Sequence, residues 1–166
     1  MSLHRLAQQR AGKPVRVGLI GAGKFGSMFL NQIPTMPNVE IAVIADLDPE
    51  RARSACRTIG WDAARIRRTR FVATGTEACA DPEVQVVVEA TGSPPAGIAQ
   101  ARAAIAAGKH IVMVNVEADV LAGPLLAEEA QAKGVVYSLA YGDQPALTCE
   151  LVEWARACGF EVVAAG

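Results

Sequence analysis

Val15-Arg16-Val17-Gly18-Leu19-Ile20-Gly21-Ala22-Gly23-Lys24-Phe25-Gly26 is an apolar run that ends in Gly-x-Gly-x-x-Gly and passes directly into a helical pattern. Glycines at this spacing divide a mechanical task. Gly21 permits a tight turn off a strand, Gly23 lets backbone approach a pyrophosphate, and Gly26 lets a helix lie close against the strand. A helix opening near Lys24 turns its free N–H groups and the positive end of its dipole toward such an anion, so no dedicated cationic side chain is required. Gly21, Ala22, Gly23, Lys24, Phe25 and Gly26 together form the candidate phosphate cradle.

Glycines also mark ordinary turns, so the pattern needs its second half. Asp46 follows the apolar run Val39-Glu40-Ile41-Ala42-Val43-Ile44-Ala45 and lies twenty residues beyond Gly26. That is the distance expected of a carboxylate that accepts hydrogen bonds from the adenosine ribose hydroxyls of a dinucleotide. Capping of the next helix is the other reading of Asp46, and Asp48-Pro49-Glu50 suits that task better, with Pro49 at the first helical position. Further along, Thr91-Gly92-Ser93 offers two hydroxyls to a ribose or phosphate edge, or else is a turn and a helix cap. Asn115 and Glu117 fall where a nicotinamide ring would lie, or cap a short helix, and the two readings stand side by side. Asp143 reads first as a cap and second as a substrate-side residue.

The elements that must hold these residues alternate. Strands are expected at 15–20, 39–45, 71–73, 84–90, 110–114, 135–138 and 160–164, and helices from Lys24 through Ile33, over 49–59, near 76–80, from Pro94 to Gly108, from Gly123-Pro124 to Gly134, and from Asp143 to Gly159. In the last helix Leu147, Leu151, Trp154 and Cys158 recur at helical spacing, an apolar stripe expected to be core. Val86-Val87-Val88 is apolar without alternation, as in a parallel strand covered on both faces. The fold class is therefore α/β, a doubly wound, mainly parallel sheet in three layers with right-handed crossovers, the Rossmann arrangement. In such a sheet ligands bind beyond the carboxyl ends of the strands, where the candidate residues are.

Size and charge limit the rest. The 166 residues, 51% of them hydrophobic, suffice for one well-buried domain over residues 15–166, preceded by a flexible, polar arm over residues 1–14 that lacks the apolar segment of a signal peptide. The net charge of −1 is interspersed, so neither nucleic acid nor an anionic membrane surface is an expected partner. Arg65-Ile66-Arg67-Arg68-Thr69-Arg70 reads as a solvated helix face or loop. No run reaches membrane-spanning length, and a cytoplasmic location is expected. Cys56, Cys79, Cys149 and Cys158 have no Cys-x-x-Cys spacing and are expected to be reduced; with His4 and His110 unpaired, no metal site is expected.

The glycine-rich strand, Val88-Glu89-Ala90-Thr91-Gly92 with its following prolines, Gly108-Lys109-His110-Ile111-Val112, Asn115, and Tyr141-Gly142-Asp143-Gln144-Pro145 occur in an order that resembles the N-terminal domain of homoserine dehydrogenase-like proteins. More closely, the chain is similar to the branch of predicted homoserine dehydrogenases with a C-terminal SAF domain, a branch that also includes a reductoisomerase acting on deoxyxylulose phosphate. The resemblance implies an NAD(P)-dependent oxidoreductase that moves hydride between NAD or NADP and a small hydroxy or carbonyl substrate, a homo-oligomer at full length. It also implies a substrate and oligomerisation domain after residue 166, holding most of the catalytic residues, so that none is assigned here. Val116 departs from the pattern, since true homoserine dehydrogenases follow the asparagine with a lysine; homoserine is not the expected substrate.

Asp46 argues for NAD, because a carboxylate accepts from the ribose 2′-hydroxyl and repels a 2′-phosphate. Arg51 and Arg53 at the same corner argue for NADP; NAD is the expectation. The alternatives are a dinucleotide-sensing module without a reaction of its own and a methyltransferase using S-adenosylmethionine, against which Thr91-Gly92-Ser93-Pro94 and the later loops speak.

Overall fold

The computed structural model describes residue 12, residues 14–142 and residues 144–165. The expected arm over residues 1–14, apart from Gly12 and Pro14, and the expected cap Asp143 lie outside the described residues. Six strands, β1 (Val15–Ile20), β2 (Val39–Ala45), β3 (Arg70–Val72), β4 (Val86–Glu89), β5 (His110–Met113) and β6 (Tyr137–Leu139), form one sheet in the order β3-β2-β1-β4-β5-β6. Every neighbouring pair is parallel. Among the described residues six α-helices provide the crossovers, α1 (Lys24–Gln32), α2 (Pro49–Thr58), α3 (Ala63–Arg68), α4 (Gly75–Ala80), α5 (Pro94–Ala106) and α6 (Val116–Lys133), and α7 (Gln144–Ala157) follows β6. The strand order reverses at β1, so the glycine turn after β1 is the switch point of a doubly wound sheet.

Two apolar layers cover the sheet. One gathers Leu19, Ile44 and Val88 with Leu30 of α1 and Cys56 of α2; the other gathers Val43, Val87 and Ile111 with Ala101 of α5 and Leu126 of α6. Val43 and Ile44, adjacent in sequence, fall in different layers, as strands covered on both faces require. Local signals set the helix ends. Asp48 accepts the Arg51 N–H at 2.9 Å and starts α2, Asp62 accepts the Arg65 N–H at 2.7 Å and starts α3, and Thr74 with Glu77 forms a capping box on α4. The arginine-rich stretch is thus a helix with only Ile66 buried, followed by Arg70, which pairs with Asp81.

Three expectations are corrected. Gly123-Pro124 does not start a helix but lies within the 18-residue α6. The start is taken earlier by Asn115, whose side chain accepts the Ala118 N–H at 3.1 Å. The N–H that Pro124 cannot donate is missing opposite Val120, a residue 79% exposed, where water can replace it. Residues 160–164 form no strand, because the sheet ends at β6 and a β-prone segment without a neighbour has nothing to pair with; Phe160 and Val163 are exposed. Finally, the stripe on α7 is not core. No residue of α7 is buried, and Leu147, Leu151 and Trp154 are 40%, 66% and 62% exposed. Helical spacing encodes a face but not what covers it.

Candidate functional site

The glycine turn is shaped by contacts that exclude side chains at two of its three positions. Gly21 has a φ of +95°, and a Cβ there would stand 2.6 Å from the Ala90 carbonyl oxygen at the end of β4. A Cβ on Gly26 would collide with the Gly21 carbonyl oxygen, so α1 leaves the turn in direct contact with it. Gly23 differs. Its φ of −73° is open to any residue, and a Cβ there would meet nothing within 4 Å. It is the N-cap of α1 and no side chain caps that helix. The turn is therefore open at Gly23 and its helix end carries no side-chain cap, as close approach of an anion to the backbone would require. Lys24 and Phe25 flank it, both exposed.

Asp46 closes the second side. Its residue is 8% exposed, yet its carboxylate collects three donors: the Ala22 N–H to Oδ2 at 2.9 Å, the Asp48 N–H to Oδ1 at 3.0 Å, and the Arg51 Nη2 to Oδ1 at 2.7 Å. Burial pushes its pKa up, and the Asp48 N–H, the Arg51 guanidinium and the Ala22 N–H together outweigh burial, so the carboxyl lies below its ordinary value. Asp48, not Asp46, caps α2. A carboxylate offers about four lone-pair sites, so one acceptor position stays open beside the turn. Arg51 has its own guanidinium folded back onto this corner, while Arg53 lies elsewhere, 4.3 Å over the Phe71 ring and paired with Glu50 at 3.3 Å.

At the end of β4 the Thr91 Oγ1 accepts the Ser93 N–H at 3.4 Å, Gly92 has a φ of +68°, and the Ser93 side chain makes no cap on α5. Pro94 and Pro95 then occupy the first two positions of α5 and remove two donors, which leaves α1 as the anion-facing helix end. Asn115 is 3% exposed and spends its Oδ1 on capping α6, and Glu117 is exposed on the first turn of that helix.

Gly21, Gly23, Asp46, Thr91 and Ser93 line one cleft of about 370 Å³ above the strand ends. Asn115 and Glu117 are not among its walls. Sequence reasoning missed Leu47 after β2, Gly75 of α4 and Gln100 of α5, which also line the cleft. Gly75 and Gln100 meet so closely that a Cβ on Gly75 would stand 2.7 Å from the Gln100 side-chain amide, a contact that no local pattern encodes. The ionisable side chains in the wall are Asp46 and Arg51, and they are bound to each other. The cleft can bind and orient; among the described residues its wall contains no free acid or base. A second hollow of about 310 Å³ opens by Arg16, Glu40 and Arg68, at the amino ends of β1 and β2, away from the glycine turn.

The sheet order, the open glycine turn and the acid at the β2 tip define a dinucleotide-binding α/β domain. The comparisons with known proteins give the particular family. The model of the GFO/IDH/MocA oxidoreductase family, NAD-binding Rossmann fold, matches residues 15–141, and the chain belongs to that family. Residues 142–166 match the model of the oxidoreductase DRL catalytic domain. An inositol 2-dehydrogenase of Acidothermus cellulolyticus is 33% identical over 120 residues, 72% of this chain and 33% of that protein. Among solved structures, a homoserine dehydrogenase from Thiobacillus denitrificans superposes with a TM-score of 0.65 at 24% identity, covering 76% of this chain and 29% of that one. The WlbA dehydrogenase from Bordetella pertussis, solved in complex with NADH and UDP-GlcNAcA, superposes with a TM-score of 0.65 at 22% identity, covering 90% and 41%. These likenesses establish the fold. The chain spans about a third of the length of the curated relative it matches. Homoserine dehydrogenase is thus one structural neighbour among several dehydrogenases.

Proposed function

We propose that this chain is the cofactor domain of an NAD(P)-dependent oxidoreductase that moves hydride between a nicotinamide dinucleotide and a small hydroxy or carbonyl substrate. The observation that carries the proposal is the join between the glycine turn and the β2 acid, Ala22 N–H to Asp46 Oδ2 at 2.9 Å, which sets a phosphate cradle beside a ribose acceptor. Gly21, Ala22, Gly23, Lys24, Phe25 and Gly26 hold the pyrophosphate, Asp46 the adenosine ribose, and Thr91, Gly92 and Ser93 the edge of the second nucleoside, with Asn115 and Glu117 shaping the nicotinamide end from the start of α6. NAD is the preferred cofactor. The bound dinucleotide supplies the hydride chemistry, and this domain supplies its orientation.

Catalytic acids and bases belong to a substrate and oligomerisation domain of the longer protein, in the SAF-containing branch that also holds the deoxyxylulose-phosphate reductoisomerase. The match of residues 142–166 to the DRL catalytic domain and the uncovered apolar stripe on α7 support that assignment. A homo-oligomeric, cytoplasmic enzyme acting on a small molecule is the corresponding whole. Among the described residues no helix is long and apolar enough to cross a membrane. A second reading, a dinucleotide sensor without turnover, is favoured by the pairing of Asp46 with Arg51, which leaves the cleft wall without a free acid or base among the described residues. Calorimetric titration with NAD, NADP and S-adenosylmethionine tests the proposal: binding of a nicotinamide dinucleotide is expected, and binding of S-adenosylmethionine alone would overturn it. Turnover of a hydroxy acid or sugar phosphate by the longer protein excludes the sensor.

A further inference from the structure

Glu89, the last residue of β4, is fully buried and forms no part of the cleft wall described above. Its Oε1 accepts the Thr91 N–H at 2.9 Å, and its Oε2 has no partner. Asn115 shares its surroundings: Oδ1 caps α6, and Nδ2 has no partner either. Both orphaned atoms lie 2.9 Å from the point that a Cβ on Gly97 would occupy, with the Ala118 Cβ 3.1 Å from the same point. Gly97 belongs to the buried side of α5, so the space left by its missing side chain is shared by an acid and an amide.

No cation among the described residues pairs with Glu89. Asp119, the other acid of this region, accepts the Tyr137 hydroxyl at 2.8 Å through Oδ1. Burial raises the Tyr137 pKa, and the negative charges of Asp119 and Glu89 raise it further; burial pushes the Cys79 thiol up to about 11, with Glu89 adding to the rise against Lys109. A buried carboxylate without a counter-ion is costly to the fold. Hydrophobic packing would be cheaper at the tip of a central strand, so the acid calls for a use outside the core.

Its place suggests the use. A dinucleotide anchored at the β1 turn with its adenosine toward Asp46, just after β2, extends its other nucleoside toward β4, which Glu89 ends, and β5, which Asn115 follows by two residues. The nicotinamide ring is a cation in the oxidised cofactor and neutral in the reduced one. We propose that the Glu89 carboxylate, buried at the carboxyl end of β4 next to the wall residues Ala90 and Thr91, sets the preference for oxidation state by favouring the cationic ring over the neutral one. Glu89 is a positioning residue in this role, acting through the field and through the Thr91 N–H without touching the ring. The proposal rests on the cofactor assignment above. Across one packing layer, on the order of 10 Å, at an effective interior dielectric of about 20, a unit charge shifts such an equilibrium on the order of tenfold.

The test is titration of NAD+, NADH and ADP-ribose against the protein and its Glu89→Gln and Glu89→Met forms, the second exchanging a buried charge for an apolar chain of similar volume. The expected result is a rise of roughly tenfold in the ratio of the NAD+ Kd to the NADH Kd in both neutral forms, with ADP-ribose affinity unchanged and Glu89→Asp retaining the original ratio. An unchanged ratio in folded neutral variants overturns this inference and leaves the cofactor assignment standing. Equal loss of all three ligands, or unfolding of both neutral variants by circular dichroism, makes Glu89 a purely structural residue and likewise overturns it. Wild-type protein that binds none of the three overturns the cofactor assignment and this inference together.

Discussion

The Ala22 backbone N–H donates to Oδ2 of Asp46 across 24 residues of chain, at 2.9 Å and out of contact with solvent. This one bond joins the turn after β1 to the tip of β2. The intervening segment is a helix, a 3-10 turn and a strand, so the spacing between glycines and acid is the length of one crossover and the bond is its closure. A hydrogen bond to a buried ionised acceptor contributes about 1.5–3 kcal/mol. The same carboxylate holds the Arg51 guanidinium at 2.7 Å, so the turn geometry and the placement of Arg51 depend on one side chain.

Asp46→Ala is expected to shift the ratio of NAD to NADP affinity toward NADP by at least about tenfold, since removing the charge costs NAD an acceptor and frees Arg51 for a 2′-phosphate. It should also destabilise the fold by about 1–3 kcal/mol, because the Ala22 N–H is left buried and unpaired. Paired calorimetric titrations and urea unfolding measure both. A wild type that prefers NADP, or a variant with no shift, would mean that Arg51 sets specificity and Asp46 only shapes the turn.

Acid should act through the same group. The folded-state pKa of Asp46 lies below its ordinary 3.8, so its contribution to stability is complete above about that pH and is lost as pH falls through the depressed folded value. Wild-type stability should therefore fall on acidification below about pH 4 more steeply than that of Asp46→Asn, which has no proton to take up. Identical acid limbs in pH-dependent urea denaturation would contradict the coupling.

Gly23→Val and Gly26→Val should separate binding from folding. Gly23 has room for a Cβ and an ordinary φ, so valine there should leave the melting temperature nearly unchanged while weakening NAD by more than about tenfold, as the branch fills the space the pyrophosphate needs. Gly26 has no room, and valine there should unfold the domain or cost several kcal/mol, roughly the scale of severe overpacking. Thermal melts beside titrations check both. Unchanged NAD affinity in Gly23→Val removes the phosphate site from this turn.

Most of the sheet was legible because a parallel strand covered on both faces is apolar throughout, and Val86-Val87-Val88 or Val43-Ile44-Ala45, short, rich in β-branched residues and bounded by turn residues, fits that requirement. The glycine turn was legible because its requirement is local, a positive φ at Gly21 and a bare Cα at Gly26. What depends on distant partners was not. Gly123-Pro124 resembles a helix start in every local respect and loses to the cap at Asn115, eight residues earlier. The pairing of Arg51 with Asp46, rather than of Arg53, follows from Arg53 lying over Phe71 of β3, a contact no spacing rule contains. Gln100 entered the cleft wall through Gly75, a pair 25 residues apart whose meeting is a property of the packed crossover.

The α7 stripe provides the last test, because there helical periodicity and burial disagree. Leu147, Leu151 and Trp154 recur as core residues would, yet α7 packs only lightly on β6 and buries none of its side chains. A contiguous exposed apolar face of this kind marks a surface that another protein element covers. If it were core of this domain, Leu151→Lys with Trp154→Lys would cost several kcal/mol, as large core truncations do. The structure instead predicts a change within about 0.5 kcal/mol per site in the chain of residues 1–166, the range of ordinary surface substitutions. It also predicts weaker dye binding to exposed apolar surface and less self-association. Urea unfolding, dye fluorescence and light scattering on the double variant measure these effects. Destabilisation beyond about 2 kcal/mol would return the stripe to the core of this domain and remove α7 as a docking face for a substrate domain.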